Sequence, residues 1–266
     1  MIQIIVCAKV IVDPEMPFSA FKVNREAMVP IPPEGMPPVL SPFDERALEA
    51  ALKIKDQQEC KITVLSMGKR SPKSVLQKVL ALGADEVIAI EGPEFENLDP
   101  FNTAQVLANG IKKVGDYDLV FMGRQAGDWD AGLVWAGVAE SLNLPSITIA
   151  RKAEVVNDKL TVERCVSDGI EILESDMPAL VTFSSEVGEP RYPSLKALIE
   201  VRRREIPKWS ASDVGFKKSS VMEMRDFYEP DLGQVNCYLL PGHSGEQKGR
   251  DLAKKLVDEG IILRVM

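Results

Sequence analysis

The chain has 266 residues, of which 45% are hydrophobic and 27% are charged, and its formal net charge at pH 7 is −8. This length can bury a substantial core, and the composition is typical of a globular protein rather than a disordered one. The negative charge argues against a nucleic-acid partner, and four scattered cysteines with one histidine provide neither a zinc motif nor a disulfide framework.

The first predicted element is an apolar strand over residues 2–8. This apolar run is too short for a signal peptide or a membrane span, and no basic residues precede it. Together with the cysteine pattern, it favours a cytoplasmic protein. A proline-rich insertion, residues 14–38, follows and is too long for a simple strand-to-helix loop. We expect a short β-hairpin in residues 21–24 of this insertion, folded over the edge of the sheet.

Short β-branched runs alternate with helical stretches up to about residue 150, which is typical of a parallel sheet covered by helices on both faces. The predicted strands cover residues 2–8, 61–66, 86–90, 118–122 and 146–150.

The helices carry start signals. Ser41, Pro42 and Asp44 predict a capping box, and Glu49 and Lys53 predict an ion pair one turn apart on the same helix.

Ser71-Pro72 and Asp99-Pro100 predict two further helix starts, and Gly83 predicts a helix end. A fourth helix is expected over residues 131–142. Its buried side is predicted to hold Leu133, Val134, Trp135, Val138, Ala139 and Leu142.

After residue 150 the alternation stops. Residues 152–166 and 170–183 predict antiparallel strands, residues 194–204 a basic helix, residues 207–241 an extended arm, residues 245–260 a helix and residues 261–263 a strand. The predicted fold is therefore α/β, with a three-layer, open, mostly parallel sheet that is Rossmann-like and similar to that of adenine-nucleotide hydrolases. We expect a nucleotide-binding domain over residues 1–206, including the antiparallel extension, and a C-terminal arm and helix over residues 207–266.

In an open parallel sheet, ligands collect at the carboxyl ends of the strands. Three loops are placed there, and we expect them to bind an adenine nucleotide: Cys7-Ala8-Lys9, Ser66-Met67-Gly68 and residues 123–130. Glycines in the third loop allow the backbone to approach a ligand, although such glycines more often only form turns. The sequence contains neither a dinucleotide-binding glycine motif nor a P-loop, which disfavours Rossmann dehydrogenases and P-loop NTPases.

Several motifs resemble those of the electron transfer flavoprotein β subunit. Six residues match its signature, and Ser167 departs where an acid is usual; the matching residues are Val162, Arg164, Asp168, Glu171, Leu173 and Pro178. Similar motifs occur in the family's order at residues 6–13, 41–45, 82–85, 123–126 and 189–195. The resemblance therefore covers nearly the whole chain.

The resemblance implies a heterodimer with an α subunit that holds a redox-active FAD, while the β subunit forms one wall of the flavin site and binds AMP. The implied cofactor-binding residues are Cys7, Ala8, Lys9, Ser41, Pro42, Phe43, Asp44, Ser66, Met67, Gly68, Gly123, Arg124, Gln125, Ala126, Gly127, Asp128, Trp129, Asp130, Ala131, Gly132, Leu133, Val134 and Arg164. Where the family has polar side chains at the start of the phosphate-binding helix, this chain has the apolar sequence Gly132-Leu133-Val134-Trp135-Ala136. The departure leaves main-chain amides to bind the phosphate.

Arg164 and Phe43 match positions that face the α-subunit flavin. A guanidinium there would stabilise the anionic reduced flavin by charge attraction. The alternative for Arg164 is an exposed ion pair with Glu163 or Asp168, of little energetic value.

Tyr192 and Leu195 match a loop that docks on a partner flavin dehydrogenase, and Arg202-Arg203-Arg204 would supply a basic rim. Taken alone, a leucine like Leu195 is more often part of a core. The resemblance also implies electron donors of the acyl-CoA dehydrogenase type, a membrane quinone oxidoreductase as a possible acceptor, and an arm over residues 207–241 that wraps the α subunit.

The resemblance thus implies an electron-carrier subunit rather than a catalyst. The sequence is consistent with this role, since no nucleophile with a base, carboxylate dyad or metal cluster stands out. Three alternatives remain. One is an electron-bifurcating form with a second FAD in the AMP pocket, beside Val12, Asp13 and the insertion. The second is an adenine-nucleotide-dependent hydrolase, and the third is a nucleotide-sensing stress protein.

Overall fold

The computed structural model describes residues 1–219, 222–229 and 237–262. These residues fall into two compact units, one within Met1–Tyr228 and one within Glu229–Met266. The first unit holds every strand of the described part of the chain and the helices up to residue 201. The predicted domain division at residue 206 stays a prediction.

The strands of the first unit are β1 (Ile2–Cys7), β2 (Val10–Ile11), β3 (Lys22–Asn24), β4 (Val29–Ile31), β5 (Val39–Leu40), β6 (Cys60–Gly68), β7 (Glu86–Glu91), β8 (Leu119–Gly123), β9 (Ser146–Val156), β10 (Lys159–Val166), β11 (Gly169–Ser175), β12 (Ala179–Phe183) and β13 (Lys208–Trp209). Its helices are α1 (Pro42–Lys55), α2 (Lys73–Leu82), α3 (Pro100–Val114), α4 (Val134–Leu142) and α5 (Leu195–Val201), and the second unit contains α6 (Gly245–Asp258).

Within the described residues, the main sheet has nine strands in the order β11-β10-β9-β12-β8-β1-β6-β7-β13. Neighbours from β9 to β13 in this order are parallel, whereas β10 pairs antiparallel with both β9 and β11. The α/β fold with a mostly parallel sheet is confirmed.

One strand differs from the prediction of an antiparallel segment over residues 170–183. Only β11 is antiparallel, and β12 turns back into the sheet between β9 and β8, parallel to both. Its residues are all buried, as expected for a central strand covered on both faces.

Alternate residues of the strands face two separate cores, because successive side chains of a strand point to opposite faces. Ile4 and Val6 pack with α1, α2 and α5 on one face, whereas Ile5 and Cys7 pack with α3 and α4 on the other. This arrangement forms the predicted three layers. Burying an aliphatic side chain of this size stabilises the fold by about 1.5–3 kcal/mol.

Two of the predicted helix signals are confirmed. The Asp99 carboxylate accepts a hydrogen bond from the Asn102 amide at the start of α3, and α2 ends at Gly83, whose φ is 125°. Only glycine tolerates that angle without strain. α2 itself begins at Lys73, and its N-cap residue, Pro72, forms no side-chain cap.

The predicted capping box of α1 is wrong. The Ser41 side chain does not cap the helix, and the Asp44 carboxylate instead accepts hydrogen bonds from the amides of Lys9 and Gly123. The predicted pair of Glu49 with Lys53 is also wrong. Glu49 binds Arg191, and the Lys53 ammonium donates to the carbonyl of Val187. In both cases a partner distant in sequence takes the group that a local pattern had assigned.

The insertion forms the predicted hairpin. β3 pairs antiparallel with β4, with Lys22 opposite Ile31 and Asn24 opposite Val29, and β2 pairs with β5 at the base of the insertion.

The segment predicted as an extended arm begins differently, because β13 joins the sheet beside β7. Residues 220, 221 and 230–236 of the predicted arm lie outside the described residues. So does Leu263 of the predicted last strand, and Ile261 and Ile262 lie in a bend. Across the described ranges, no helix is long and apolar enough to span a bilayer.

Candidate functional site

The carboxyl ends of β8, β1 and β6 lie side by side at one edge of the sheet, which we call the rim. Cys7 is paired with Met122 on one side and with Leu65 on the other. This register brings the loop of Ala8 and Lys9 between the Ser66–Gly68 end of β6 and Gly123 at the end of β8. The three loops predicted to bind a nucleotide are therefore neighbours.

The start of α1 is tied to the rim by the buried side chain of Asp44, which is 7% exposed. Its two carboxylate oxygens accept hydrogen bonds from the amide of Lys9 at 2.8 Å and from the amide of Gly123 at 3.0 Å. The Ser41 amide donates to the Lys9 carbonyl at 2.8 Å, which closes the contact between α1 and the loop after β1.

Burial raises the pKa of the Asp44 carboxyl from 3.8 to about 7. The hydrogen bonds from Lys9 and Gly123, the charge of Lys9 and a hydrogen bond from Ser41 oppose this rise. Burial also raises the pKa of the Cys7 thiol, and the neighbouring Asp44 charge adds to the effect. Cys7 is therefore a neutral, buried wall of the rim rather than a nucleophile.

Gly123 stands where no larger residue fits. A Cβ atom at this position would lie 2.5 Å from Asp44 Oδ1 and 2.8 Å from the Cβ of Phe43. At Gly127 the nearest atom, Cδ of Pro42, would be 3.2 Å away, a contact that small shifts can relieve. Close packing of α1 therefore requires the first glycine of the loop more strongly than the second.

The loop after β8 is folded by main-chain contacts. The Arg124 amide donates to the Phe183 carbonyl at 2.9 Å, and the Asp130 amide donates to the Ala126 carbonyl at 3.0 Å. The Gln125 side chain donates to the Asp130 carboxylate at 2.6 Å. Lys9 forms an ion pair with Asp128 at 2.7 Å and so connects the loops after β1 and β8.

α4 begins at Val134, three residues later than the predicted start at Ala131. Gly132 has a φ of 63°, so the chain is still turning there. The predicted buried position of Leu133 is wrong, because this side chain is 56% exposed. The first-turn amides of α4 have no partner within the helix and supply the positive end of its dipole.

The residues present fit an adenine nucleotide in one specific respect. Ser66 at the end of β6 is 0% exposed, and its hydroxyl has no hydrogen-bond partner among the described residues. A buried hydroxyl without a partner is costly, and a ligand at the rim would satisfy it. Met67 and Gly68, which follow it, are only partly buried.

Arg124 and Arg164 are two basic residues that the sequence analysis predicted to bind the cofactor. The Arg124 guanidinium lies 4.9 Å from the centre of the Phe43 ring, a cation–π contact that the sequence did not indicate. Arg164 is paired with Ala150, Ala150 with Phe183, and Phe183 with Gly123. Arg164 thus lies on the same cross-strand row as the rim, three strand spacings or roughly 14 Å from Gly123.

The alternative considered for Arg164, an ion pair with Glu163 or Asp168, has the wrong partners. Its partner is Glu171 on β11, at 3.5 Å, whereas Glu163 pairs with Arg151 at 2.6 Å. Residues of adjacent strands are closer than residues adjacent in sequence, which point to opposite faces.

Sequence reasoning missed an aromatic cluster beside the rim. Trp129 stacks on Phe227 with ring centres 5.3 Å apart, and Phe21 of the insertion meets Phe227 edge-on at 6.5 Å. No local pattern connects residues so distant in sequence, although their aromatic character in otherwise polar loops was a signal. The cluster joins the insertion, the loop after β8 and the described part of the arm.

The predicted docking residues lie apart from the rim, at the start of α5. Tyr192 is 89% exposed and Leu195 is 80% exposed, so Leu195 is not a core leucine. Ile199, one turn further along α5, is 67% exposed and was not predicted. Ser194 caps the helix by accepting a hydrogen bond from the Ala197 amide at 3.1 Å.

Arg191 holds this segment to α1. It donates to the Glu49 carboxylate from its backbone amide, Nε and Nη2, and to Asp56 from Nη1 and Nη2, over distances of 2.6–3.2 Å. Glu49 is 5% exposed, so the pair is partly buried. Charge-assisted forks of this kind fix geometry as well as adding energy.

A separate cleft of about 430 Å³ lies between α1, β9 and β10. Its charged side chains are engaged with one another, since Arg151 pairs with Glu163 and Lys152 with Glu154. We consider the rim the better candidate, because it collects three strand ends, a helix start and a hydroxyl without a partner.

Comparison with known proteins identifies the family of the chain. The family model for the electron transfer flavoprotein domain matches residues 34–214. The chain is 39% identical to the electron transfer flavoprotein subunit beta of Thermoanaerobacterium thermosaccharolyticum, over 71% of this chain and 72% of that protein.

Two further relatives match along almost the whole length. The caffeyl-CoA reductase–Etf complex subunit CarD of Acetobacterium woodii is 32% identical, over 98% of this chain and 100% of that protein. The acryloyl-CoA reductase electron transfer subunit gamma of Anaerotignum propionicum is 29% identical over the same shares. The chain therefore belongs to the electron transfer flavoprotein family, as a β-type subunit.

Proposed function

We propose that the chain is the β subunit of a heterodimeric electron transfer flavoprotein that holds AMP at the rim and completes the site of an FAD bound mainly by its α subunit. The observation that carries the proposal is the convergence at one edge of three strand ends, the starts of α1 and α4, and the partnerless hydroxyl of Ser66.

AMP would be held chiefly by main-chain groups. Trp129 and Leu133 are exposed, the Asp128 carboxylate is paired with Lys9, and main-chain hydrogen bonds hold the loop. The amides at the start of α4 form an anion site of the kind that binds phosphate in other folds. The buried Ser66 hydroxyl would take a polar atom of the nucleotide, while Cys7 and Ala8 supply an apolar wall.

FAD supplies one- and two-electron transfer when bound, and this chain's contribution to it would be electrostatic. Arg124, fixed over Phe43, and Arg164, on the same cross-strand row, would attract negative charge on the reduced ring. The ion pair of Arg164 with Glu171 is long, with 3.5 Å between Nη1 and Oε2. The guanidinium would therefore be able to interact with a second subunit.

The electron donor would be a flavin dehydrogenase acting on CoA thioesters, docked on Tyr192 and Leu195. Support comes from the names of two relatives, which belong to reductases of caffeyl-CoA and acryloyl-CoA, and from the exposure of these apolar side chains. Exposed aromatic and aliphatic anchors on a firmly held segment are typical binding hot spots.

Co-expression with a candidate α subunit tests the proposal. We expect a heterodimer with a flavin absorption spectrum and one FAD per pair of subunits. A β chain that stays monomeric in the presence of every candidate α subunit, or a colourless heterodimer, would contradict it.

A second candidate is an electron-bifurcating form with a second FAD at the rim. The observation that favours it is the aromatic cluster of Trp129, Phe227 and Phe21, which extends the rim towards Asp13 and the insertion and could accommodate a larger ring system. Two FAD molecules per heterodimer, with no AMP, would identify this form.

A further inference from the structure

Two hydrogen bonds at the rim connect the paired strands β1 and β8 to one side chain of α1, beyond their last paired residues, Cys7 and Met122. The amides of Lys9 and Gly123 both end on Asp44, one on each oxygen. These amides lie at the ends of β1 and β8. The Asp44 carboxylate therefore bridges the two strands where their backbone pairing ends.

We propose that Asp44 is the positioning residue of the nucleotide site, and that its carboxylate aligns the two amide-bearing loops without contacting the nucleotide itself. The proposal rests on the proposed function for the identity of the ligand. The two hydrogen bonds from the Lys9 and Gly123 amides to Asp44, called the bracket below, can be tested without a ligand. It revises the expectation, implied by resemblance, that Asp44 binds the cofactor directly.

The geometry supports an indirect role. Both oxygens of Asp44 are occupied by main-chain amides at 2.8 and 3.0 Å, and the side chain is 7% exposed. Gly123 leaves no space for a shift, since a Cβ there would meet Asp44 Oδ1 at 2.5 Å. The carboxylate is therefore committed to the loops.

The hydrogen bonds from Lys9 and Gly123 lower the pKa of the buried Asp44 carboxyl, so protonation opposes them as long as the side chain stays buried, even though it favours folding of the whole chain. A carboxyl group has one oxygen that must donate where both now accept. The groups that face Asp44 are the Lys9 ammonium and the Cys7 thiol from β1 and its loop, the Ser41 hydroxyl from α1, and the Gly123 amide from β8. Lys9 is itself paired with Asp128, which moderates its effect. The folded-state pKa of Asp44, about 7, places the change near neutral pH.

The same two strands offer a matched control at their opposite ends. Asp118, just before β8, accepts a hydrogen bond from the Gln3 amide of β1 at 2.7 Å. This contact is also a carboxylate-to-amide bridge between β1 and β8, but it lies away from the rim. Asp44→Asn leaves one oxygen where two amides now donate, whereas Asp118→Asn removes the charge at the other end of the same strand pair and leaves an oxygen that can still accept from Gln3.

Amide hydrogen exchange of the full-length chain tests the bracket without a ligand. In Asp44→Asn we expect exchange to accelerate about tenfold, the effect of one lost charge-assisted bond, in peptides covering residues 8–11 and 123–128. Asp118→Asn should accelerate exchange only near residues 2–4 and 117–119. Equal exchange at the rim in the two variants would overturn the proposal.

AMP binding, measured by calorimetry from pH 5.5 to 8.5, tests the consequence. At pH 8 we expect Asp44→Asn to weaken AMP binding by about tenfold, and Asp118→Asn to leave the Kd within about twofold of wild type. Wild type and Asp118→Asn should lose affinity together as the pH falls through 7, and Asp44→Asn should lose less. Ionisation of AMP is common to all three and cancels.

The outcomes separate the two proposals. If wild type does not bind AMP at any pH, AMP as ligand is wrong, and hydrogen exchange alone decides the role of Asp44. If AMP binds equally to both variants at every pH, the positioning role is overturned while AMP binding stands. If Asp44→Asn does not fold, the wild-type protein alone decides. The exchange rate of the Lys9 and Gly123 amides, divided by that of the Gln3 amide, must then increase as the pH falls through 7. A ratio that does not change with pH overturns the proposal.

Discussion

The rim and the segment proposed to contact a dehydrogenase, residues 191–199 and called the docking segment below, are built in opposite ways. The rim is formed by main-chain amides and one buried carboxylate, and its side chains contribute mostly walls. The docking segment presents exposed side chains, Tyr192, Leu195 and Ile199, on a piece of chain held by Arg191. Substitutions at the rim should therefore act through backbone geometry, whereas those at the docking segment should act through the residue replaced or through its anchor.

Loss of the anchor should have the largest effect on stability. Arg191→Ala would leave the buried Glu49 carboxylate without its partner, which we expect to lower the free energy of unfolding by about 2–3 kcal/mol. Urea denaturation measures this loss. Lys196→Ala, on the exposed face of α5, serves as the control and should change the stability by less than about 0.5 kcal/mol. Similar stabilities for the two variants would show that the ion pair of Arg191 with Glu49 does not stabilise the fold.

A methyl group at the rim should have the next largest effect. Gly123→Ala places a Cβ 2.5 Å from Asp44 Oδ1, and we expect the strain to cost about 1–3 kcal/mol and to reduce nucleotide affinity. The matched control is Gly127→Ala, in the same loop, where the closest contact is 3.2 Å. Thermal denaturation of both variants should show a clear difference, and equal melting temperatures would mean that the packing of α1 on Gly123 is not as tight as the structure indicates.

The rim should also carry its own pH dependence. Since the pKa of Asp44 is raised in the folded state, from 3.8 to about 7, the folded protein binds the proton more tightly than the unfolded chain. Its contribution to stability is then full below pH 3.8 and is lost as the pH rises through 7. Denaturation between pH 4 and 8 should show a shallower decline for Asp44→Asn than for Asp118→Asn. If the stabilities of the two variants depend on pH in the same way, the raised pKa of Asp44 is wrong.

The smallest effect on folding should come from the docking side chains. Leu195→Ala removes an 80% exposed side chain and should leave the unfolding free energy within about 0.5 kcal/mol of wild type. Electron transfer from a CoA-thioester dehydrogenase should nevertheless slow by about tenfold, through a raised KM for the carrier. Steady-state kinetics with purified dehydrogenase would measure this, and an unchanged KM would argue against docking at Leu195.

The sequence predicts the elements whose causes are local. Short apolar runs specify the strands, Asp99 and Gly83 specify the start and the end of helices, and the sequence around residues 21–24 favours a hairpin. It cannot predict contacts that depend on the folded sheet. Asp44 has the spacing of a capping-box residue, yet its carboxylate accepts hydrogen bonds from the amides of Lys9 and Gly123, which are distant in sequence. Likewise β12 reads as one more hairpin strand, and only the packing of the sheet decides that it lies between β9 and β8.

The candidate site shows the same division. Strand ends and glycine loops at residues 7–9, 66–68 and 123–130 could be read from the sequence, because carboxyl ends of parallel strands share an edge. The contacts of Trp129 with Phe227 and of Arg124 with Phe43 could not, since they join residues about 100 and 80 positions apart in sequence.

The most direct test of the account is the small-molecule content of the purified heterodimer, released by denaturation and quantified by mass spectrometry. The account predicts one FAD and one AMP per pair of subunits. A folded, intact heterodimer that releases no adenine nucleotide beyond its FAD would contradict the claim that the rim binds one.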